Sequence, residues 1–152
     1  MKNLRFCKTS TLPQQQLFHI STDIANFHLI LPKYFKSLKI IKDEPNEKIV
    51  LEKISFLGFA IQVKTRHVII PTNIHKVYIL TGPLKGTSFI EFYNSTQNGT
   101  EIIMDLNIKF SGILQVFNFL KGYVVNQMMV VMDEFICSAE NKISSNGSSL
   151  IS

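Results

Sequence analysis

The sequence from Ser111 to Lys142, SGILQVFNFLKGYVVNQMMVVMDEFICSAENK, decides the fold prediction for the whole chain. Its apolar residues recur every three or four positions, which is the spacing of one face of an α-helix. The main row consists of Ile113, Val116, Phe117, Leu120, Val124, Met128, Val131 and Phe135. A second apolar row beside it makes the stripe wider than a surface helix needs. One long helix of this kind needs a broad apolar surface to lie on, and the preceding residues are predicted to supply it.

Those preceding residues mostly follow the two-residue alternation of β-strands, interrupted by turn sequences. Strands are predicted at residues 3–11, from 37 to the turn at 43–46, and at 48–56, 60–70, 74–80, 87–93 and 101–110. After the first strand, Pro13 and Asp23 begin two short helices. Because short turns join consecutive strands, an antiparallel sheet of about seven strands is expected. The predicted fold class is α+β.

Length and composition indicate one globular domain, since the chain has 152 residues, of which 45% are hydrophobic and 18% are charged. The domain is predicted to span residues 1–142, and the Ser-rich residues 143–152 are predicted to form a flexible C-terminal tail. The net charge of +5 comes from basic residues spread along the chain, so nucleic-acid binding is not expected. The sequence shows no signal peptide and no apolar run long enough for a membrane span, so a cytoplasmic location is expected.

The two cysteines, Cys7 and Cys137, lie near opposite ends of the chain. They are predicted to be buried free thiols, which suits a reducing cytoplasm, and a disulfide between them is the alternative. Their spacing and that of the histidines is not that of metal ligands, so no metal is expected. No cofactor is expected either.

The segment Thr9-Ser-Thr-Leu-Pro-Gln-Gln-Gln-Leu-Phe-His-Ile-Ser-Thr-Asp23, taken with the order of elements, resembles the helix-grip superfamily. This superfamily (SRPBCC) includes START lipid-transfer domains, birch-pollen-type (Bet v 1-like) allergens and polyketide cyclase or coenzyme-Q-binding proteins. The continuation through Phe27 and Leu31-Pro32-Lys33-Tyr34 is similar to the cyclase and coenzyme-Q-binding branch. The resemblance implies a curved sheet that wraps the long helix and leaves a deep apolar cavity between them. The last helix lacks a charged residue facing its stripe, so no family catalytic site is carried over.

Strand alternation predicts which side chains would face such a cavity. His67 shares a face with Thr65 and Ile69, and His75 shares one with Val77 on the next strand, so both imidazoles are predicted to point inward. The predicted ligand-contacting residues are His67, His75, Thr65, Ile69, Val77, Phe92, Met104, Leu106, Ile108, Leu120, Tyr123, Val124 and Met128. The predicted cavity mouth consists of Leu57, Phe59, Pro83 and Leu84. The structural alternatives are histidines satisfied within a filled core, methionines that only fill space, and a simple turn at residues 82–86.

These observations favour binding, or transport, of a hydrophobic small molecule such as a lipid, isoprenoid or quinone. The first alternative is an enzyme of the polyketide cyclase or dehydratase type, with His67 as the weak candidate for its acid or base. The second alternative is a protein- or membrane-interaction module that uses the apolar surface of the chain. No obligate protein partner is predicted, and the positive net charge favours transient contact with an anionic membrane surface.

Overall fold

The structure is a computed structural model that describes residues 4–56 and 58–151. Across these residues, seven strands form one antiparallel sheet in the order β1-β7-β6-β5-β4-β3-β2. The strands are β1 (Leu4–Ser10), β2 (Phe35–Glu44), β3 (Glu47–Phe56), β4 (Phe59–Ile70), β5 (Ile74–Ile79), β6 (Ser88–Thr96) and β7 (Gly99–Asn107). The helices are α1 (Gln14–Thr22), α2 (Phe27–Ile30) and α3 (Lys121–Ile151), and two 3₁₀ helices span Ile24–Asn26 and Gly112–Leu120. The predicted α+β helix-grip fold is confirmed.

One face of the sheet carries the core, and alternation along the strands shows which face it is. On β7, Ile102, Met104 and Leu106 are buried while the residues between them are partly exposed. The same two-residue period holds along β4 and β5. Buried side chains of α1 and α3, including Leu17 and Phe135, belong to the same core cluster. The helices therefore cover the buried face of the sheet.

The C-terminal helix differs from the prediction at its beginning. Residues 112–120 form a 3₁₀ helix in which Phe117 departs from helical geometry (φ −90°, ψ 16°), and α3 begins only at Lys121. Val116 and Phe119 are 72% and 76% exposed, and Phe117 is also exposed. A 3₁₀ helix has three residues per turn, so apolar residues at mixed spacings of three and four do not share one face. The predicted α-helical stripe therefore does not extend through Val116 and Phe117.

At its other end, α3 continues beyond residue 142 to Ile151. The predicted domain boundary at residue 142 therefore falls inside the helix, and residues 143–151 of the predicted tail are helical. Ile143 is partly buried against the core, so the apolar contact of the helix continues past that boundary. Residue 152 lies outside the described residues.

The two cysteines are free, and both are exposed. The prediction that they are buried is wrong, because Cys7 lies on the same exposed face of β1 as Arg5 and Thr9. The alternative disulfide between them is not formed. Within the described part of the chain, no helix combines the length and apolar character needed to cross a membrane.

Gly122, in the first turn of α3, provides a test of the helix assignment. Apart from its own helical turn, no described atom lies within 4 Å of the position that a Cβ would occupy there, so no described strand or side chain opposes a larger residue. Because glycine disfavours a helix, Gly122→Ala should raise the free energy of unfolding by about 0.5–1 kcal/mol in urea denaturation. In the control Gly99→Ala, the added Cβ would clash with the Ser10 carbonyl oxygen, so stability should fall. Destabilisation by Gly122→Ala would contradict the assignment.

Candidate ligand-binding cavity

A cavity of about 180 Å³ lies between the buried face of the sheet, α2 and α3. We call it the histidine cavity because His67 and His75 line it. A second cavity of about 200 Å³, here the Tyr123 cavity, shares Tyr34, Phe89 and Met128 with it, so the two adjoin. An engineered protein cavity of about 150 Å³ holds a benzene molecule. The histidine cavity therefore has room for a ligand with a ring or a short chain.

Most of the wall of the histidine cavity is apolar. The sheet contributes Val63, Val77, Ile79, Phe89 and Met104, α2 and the residues after it contribute Phe27, Leu31 and Phe35, and α3 contributes Met128, Val131, Met132 and Phe135. Three of the five methionines, Met104, Met128 and Met132, are thus in the wall. Unbranched methionine side chains adapt to ligands of different shape.

Two glutamates and two histidines meet on the sheet side of this cavity. The Nδ1 of His67 lies 3.0 Å from the Nε2 of His75, and the Nε2 of His67 lies 3.1 Å from an Oε1 of Glu52. The Nδ1 of His75 lies 2.9 Å from the Oε1 of Glu91. These four side chains, here called the Glu–His array, are buried: Glu52 is 4%, His67 2% and His75 1% exposed. The array joins four neighbouring strands, β3 to β6.

Strand register brings these residues together. His75 lies directly opposite Glu91 across the β5–β6 pair. Across the β4–β5 pair, His67 lies opposite Val77, so His67 and His75 are diagonal neighbours on the same face. Glu52 shares the buried face of β3 with Val50. Residues far apart in the sequence thus form one connected polar group.

Hydrogen-bond partners assign the protons in the array. An ionised Glu52 can only accept, so the Nε2 of His67 donates to it, and the Nδ1 of His67 then accepts from the Nε2–H of His75. The other nitrogen of His75 faces the Oε1 of Glu91 at 2.9 Å. This contact is electrostatic, because its geometry is not that of a well-aligned hydrogen bond.

Tyr93 completes the array behind Glu91. Its hydroxyl donates to the Oε2 of Glu91 at 3.0 Å. Burial raises the pKa of Tyr93 well above its usual value, and the charge of Glu91 adds to that effect, so the phenol stays protonated as a donor. Both oxygens of Glu91 therefore have partners within the protein.

Burial lowers the pKa of His67 below its usual value, and the hydrogen bond and charge of Glu52 oppose this shift only in part. His67 is therefore neutral at pH 7, in agreement with the proton assignment above. Thr65, whose Oγ1 lies 3.0 Å from the Nε2 of His67, adds a second polar neighbour to this nitrogen. Neither ring nitrogen of His67 is left free to contact a ligand.

Most of the predicted ligand-contacting residues line one of the two cavities. Thr65, His67, His75, Val77, Met104 and Met128 line the histidine cavity. Leu106, Ile108, Tyr123, Val124 and again Met128 line the Tyr123 cavity. Ile69, Phe92 and Leu120 line neither cavity. Phe92 alternates with the buried Glu91 and Tyr93, which places it on the other face of the sheet.

Of the predicted mouth residues that the structure describes, only Leu84 lines a cavity. Leu84 is buried and lines the Tyr123 cavity. Phe59 is 72% exposed, and neither it nor Pro83 lines a cavity. The Pro83 carbonyl instead accepts a 2.9 Å hydrogen bond from the backbone N–H of Ser111, which ties this loop to the 3₁₀ helix. Leu57 lies outside the described residues.

Sequence analysis missed Glu52 and Glu91. Both glutamates line the same cavity as the two histidines. Alternation with Val50 and Tyr93 could have placed them inside, but glutamate is normally assigned to solvent because an unpaired buried charge is costly. Among the described residues, no group of three or more His, Cys, Asp or Glu is arranged to hold a metal ion. In the Glu–His array, the Nδ1 of His67 and the Nε2 of His75 face each other, so they do not point together at a position that a metal ion could occupy.

The lowered pKa of His67 predicts a pH dependence of stability. As the pH falls below about 6.5, the unfolded chain takes up a proton at this imidazole while the folded protein does not. The free energy of unfolding should therefore fall by up to about 1.4 kcal/mol per pH unit from this group. His67→Gln should show a smaller fall than the native protein between about pH 6.5 and 5 in urea denaturation.

The control for this measurement is His19→Gln, because His19 is an exposed histidine on α1. This variant should keep the pH dependence of the native protein. Equal pH dependence of His67→Gln and the native protein would contradict a neutral buried His67.

Comparison with known proteins supports the fold. No protein-family model matches the sequence, and no curated protein matches it. Among solved structures, the Zhui aromatase/cyclase from Streptomyces sp. R1128 is 14% identical and superposes with a TM-score of 0.79, covering 93% of this chain and 95% of that one. Ara h 8.0201 is also 14% identical, with a TM-score of 0.70 over 92% of this chain and 98% of that one.

A further similar structure is the di-domain ARO/CYC BexL, which is 11% identical and has a TM-score of 0.76. The match covers 91% of this chain but 50% of BexL, so this chain spans about half of that protein. Identities this low establish similarity of fold alone. The chain shares the helix-grip fold with these three proteins.

Proposed function

We propose that this protein binds one apolar or weakly amphipathic small molecule in the histidine cavity, with the adjoining Tyr123 cavity extending the site. The observation that carries this proposal is an open volume of about 180 Å³ with mainly apolar walls between sheet and helix. Removing apolar ligand surface from water contributes about 25 cal/mol per Å². Lipid tails, isoprenoids and quinones are classes with suitable apolar surface.

The polar side of the cavity would orient such a ligand. Pockets of this type usually combine apolar walls with a few placed polar groups that set specificity. Here those groups are the Glu–His array, which lies on the sheet side while the wall formed by α3 is apolar. A bound molecule would therefore place its polar end toward Glu52 and its apolar end toward Met128 and Met132.

An enzyme of the cyclase type is the second candidate, and one observation favours it. A carboxylate and an imidazole in contact at a cavity wall can exchange protons, which general acid–base catalysis requires. Since both nitrogens of His67 have partners, a proton could pass between His67 and a ligand through Glu52, which contacts His67 and lines the cavity. The predicted role of His67 is then to position and tune Glu52. Zhui and BexL, which share the fold, are named as aromatase/cyclase and ARO/CYC proteins.

Contact with a membrane surface and a cytoplasmic location stay predictions. The exposed side chains of Val116 and Phe119 on the 3₁₀ helix are the residues that would make such a contact. Exposed apolar residues of this kind often mark interaction sites when they form a patch.

The binding proposal predicts a co-purifying ligand and a specific way to remove it. Organic extraction of the purified protein, followed by mass spectrometry, should yield one apolar compound at close to one molecule per chain. Val131→Phe should abolish this recovery, because Val131 lines both cavities and phenylalanine would fill the shared volume. Titration calorimetry with n-butylbenzene should show saturable binding to the native protein and at least tenfold weaker binding to Val131→Phe.

Val130→Phe is the matched control, since Val130 is the preceding residue on α3 and is exposed. It should keep both the ligand and the affinity for n-butylbenzene. Absence of saturable n-butylbenzene binding to the native protein would contradict the proposal. Equal effects of the two phenylalanine substitutions would also contradict it.

A further inference from the structure

The wall of the histidine cavity carries a net negative charge. Burial keeps His67 neutral, and even a protonated His75 would balance only Glu91, which it faces at 2.9 Å. Glu52 then leaves one negative charge that no other group in the array balances. In the described part of the chain, no lysine or arginine lines either cavity. Lys33, whose ammonium group lies over the Tyr34 ring, is exposed and pairs with Glu134.

Glu52 also has unused hydrogen-bonding capacity. Its Oε1 contacts the Nε2 of His67, but its Oε2 accepts no hydrogen bond from any described residue. The residue is nevertheless 4% exposed and lines the histidine cavity. In contrast, both oxygens of Glu91 have partners, His75 and Tyr93. A carboxylate oxygen without a partner in an apolar enclosure is costly, so the free oxygen of Glu52 favours a ligand that donates a hydrogen bond.

We propose that the ligand of this cavity carries a basic nitrogen at its polar end, that the free oxygen of Glu52 binds this ammonium group, and that the apolar body of the ligand fills the space toward α3. This inference rests on the proposed function. An ammonium group meets both requirements of the wall, because it donates hydrogen bonds and neutralises one negative charge. An alcohol meets only the first requirement, and a carboxylate ligand meets neither and would be repelled by Glu52. The cavity is therefore expected to exclude fatty acids.

A series of ligands with one phenyl ring and different polar ends tests this inference. Binding of 2-phenylethylamine, 2-phenylethanol and 3-phenylpropanoate to the native protein would be measured by titration calorimetry at pH 7. The amine should bind at least tenfold more tightly than the alcohol, and the carboxylate should show no measurable binding. Binding of the carboxylate as tight as that of the amine would overturn the inference.

Glu52→Gln assigns the effect to one residue, because glutamine keeps the shape of the side chain and removes its charge. This variant should lose at least tenfold in affinity for the amine and should bind n-butylbenzene as the native protein does, which also verifies that the cavity is folded. The control Glu47→Gln makes the same charge change on the same strand. Glu47 pairs with Lys42 and Arg66 and lines neither cavity, so its removal should leave amine binding unchanged.

The same measurements separate this inference from the proposed function. Failure of n-butylbenzene and of all three phenyl ligands to bind the native protein overturns both. Binding of n-butylbenzene without a preference for the amine overturns only the assignment of a basic ligand. An amine preference that persists in Glu52→Gln overturns the role of Glu52. If that variant does not fold, the comparison of amine with carboxylate in the native protein decides the inference.

Discussion

Burial of two carboxylates and two imidazoles on one face of a sheet is the constraint on which the site depends. An ion taken out of water costs several kcal/mol unless it finds a partner, and removal of one partner from a buried pair costs about 3–5 kcal/mol. Glu52, His67, His75 and Glu91 satisfy most of this requirement among themselves. Their contacts hold only in the observed register of β3 to β6, so the array ties the geometry of the cavity wall to the pairing of these strands.

The array and the cavity depend on each other. The sheet supplies a polar wall and α3 supplies an apolar one, so a ligand between them meets two different surfaces. A low effective dielectric strengthens every charge interaction inside the cavity, including that of Glu52 with a ligand. The polar wall on the sheet therefore selects the polar end of a ligand, while the methionine-rich wall on α3 accepts apolar groups of varied shape. Binding and selectivity thus arise from opposite sides of one space.

Much of this arrangement could be predicted from the sequence, because alternation is a local signal. It placed His67 and His75 on the inner face and gave seven strands in the right order. The features that alternation did not predict depend on contacts or geometry that a local pattern does not contain. Whether Glu52 is buried depends on a partner fifteen residues away, and hydrophobic patterning contains no information about that contact. The 3₁₀ helix was missed because the α-helical spacing of Val116 and Phe117 does not reveal that the chain winds more tightly there.

The proton assignment of the Glu–His array is the central claim of this account, since the charge of the cavity wall follows from it. Long-range ¹H–¹⁵N correlation spectra of the ligand-free protein at pH 7, assigned with His67→Gln, would report the protonation and tautomer of each imidazole. The account predicts a neutral His67 ring with its proton on Nε2 and the lone pair on Nδ1. An imidazolium at His67, or a neutral ring protonated on Nδ1, would contradict the assignment and with it the negative charge of the wall.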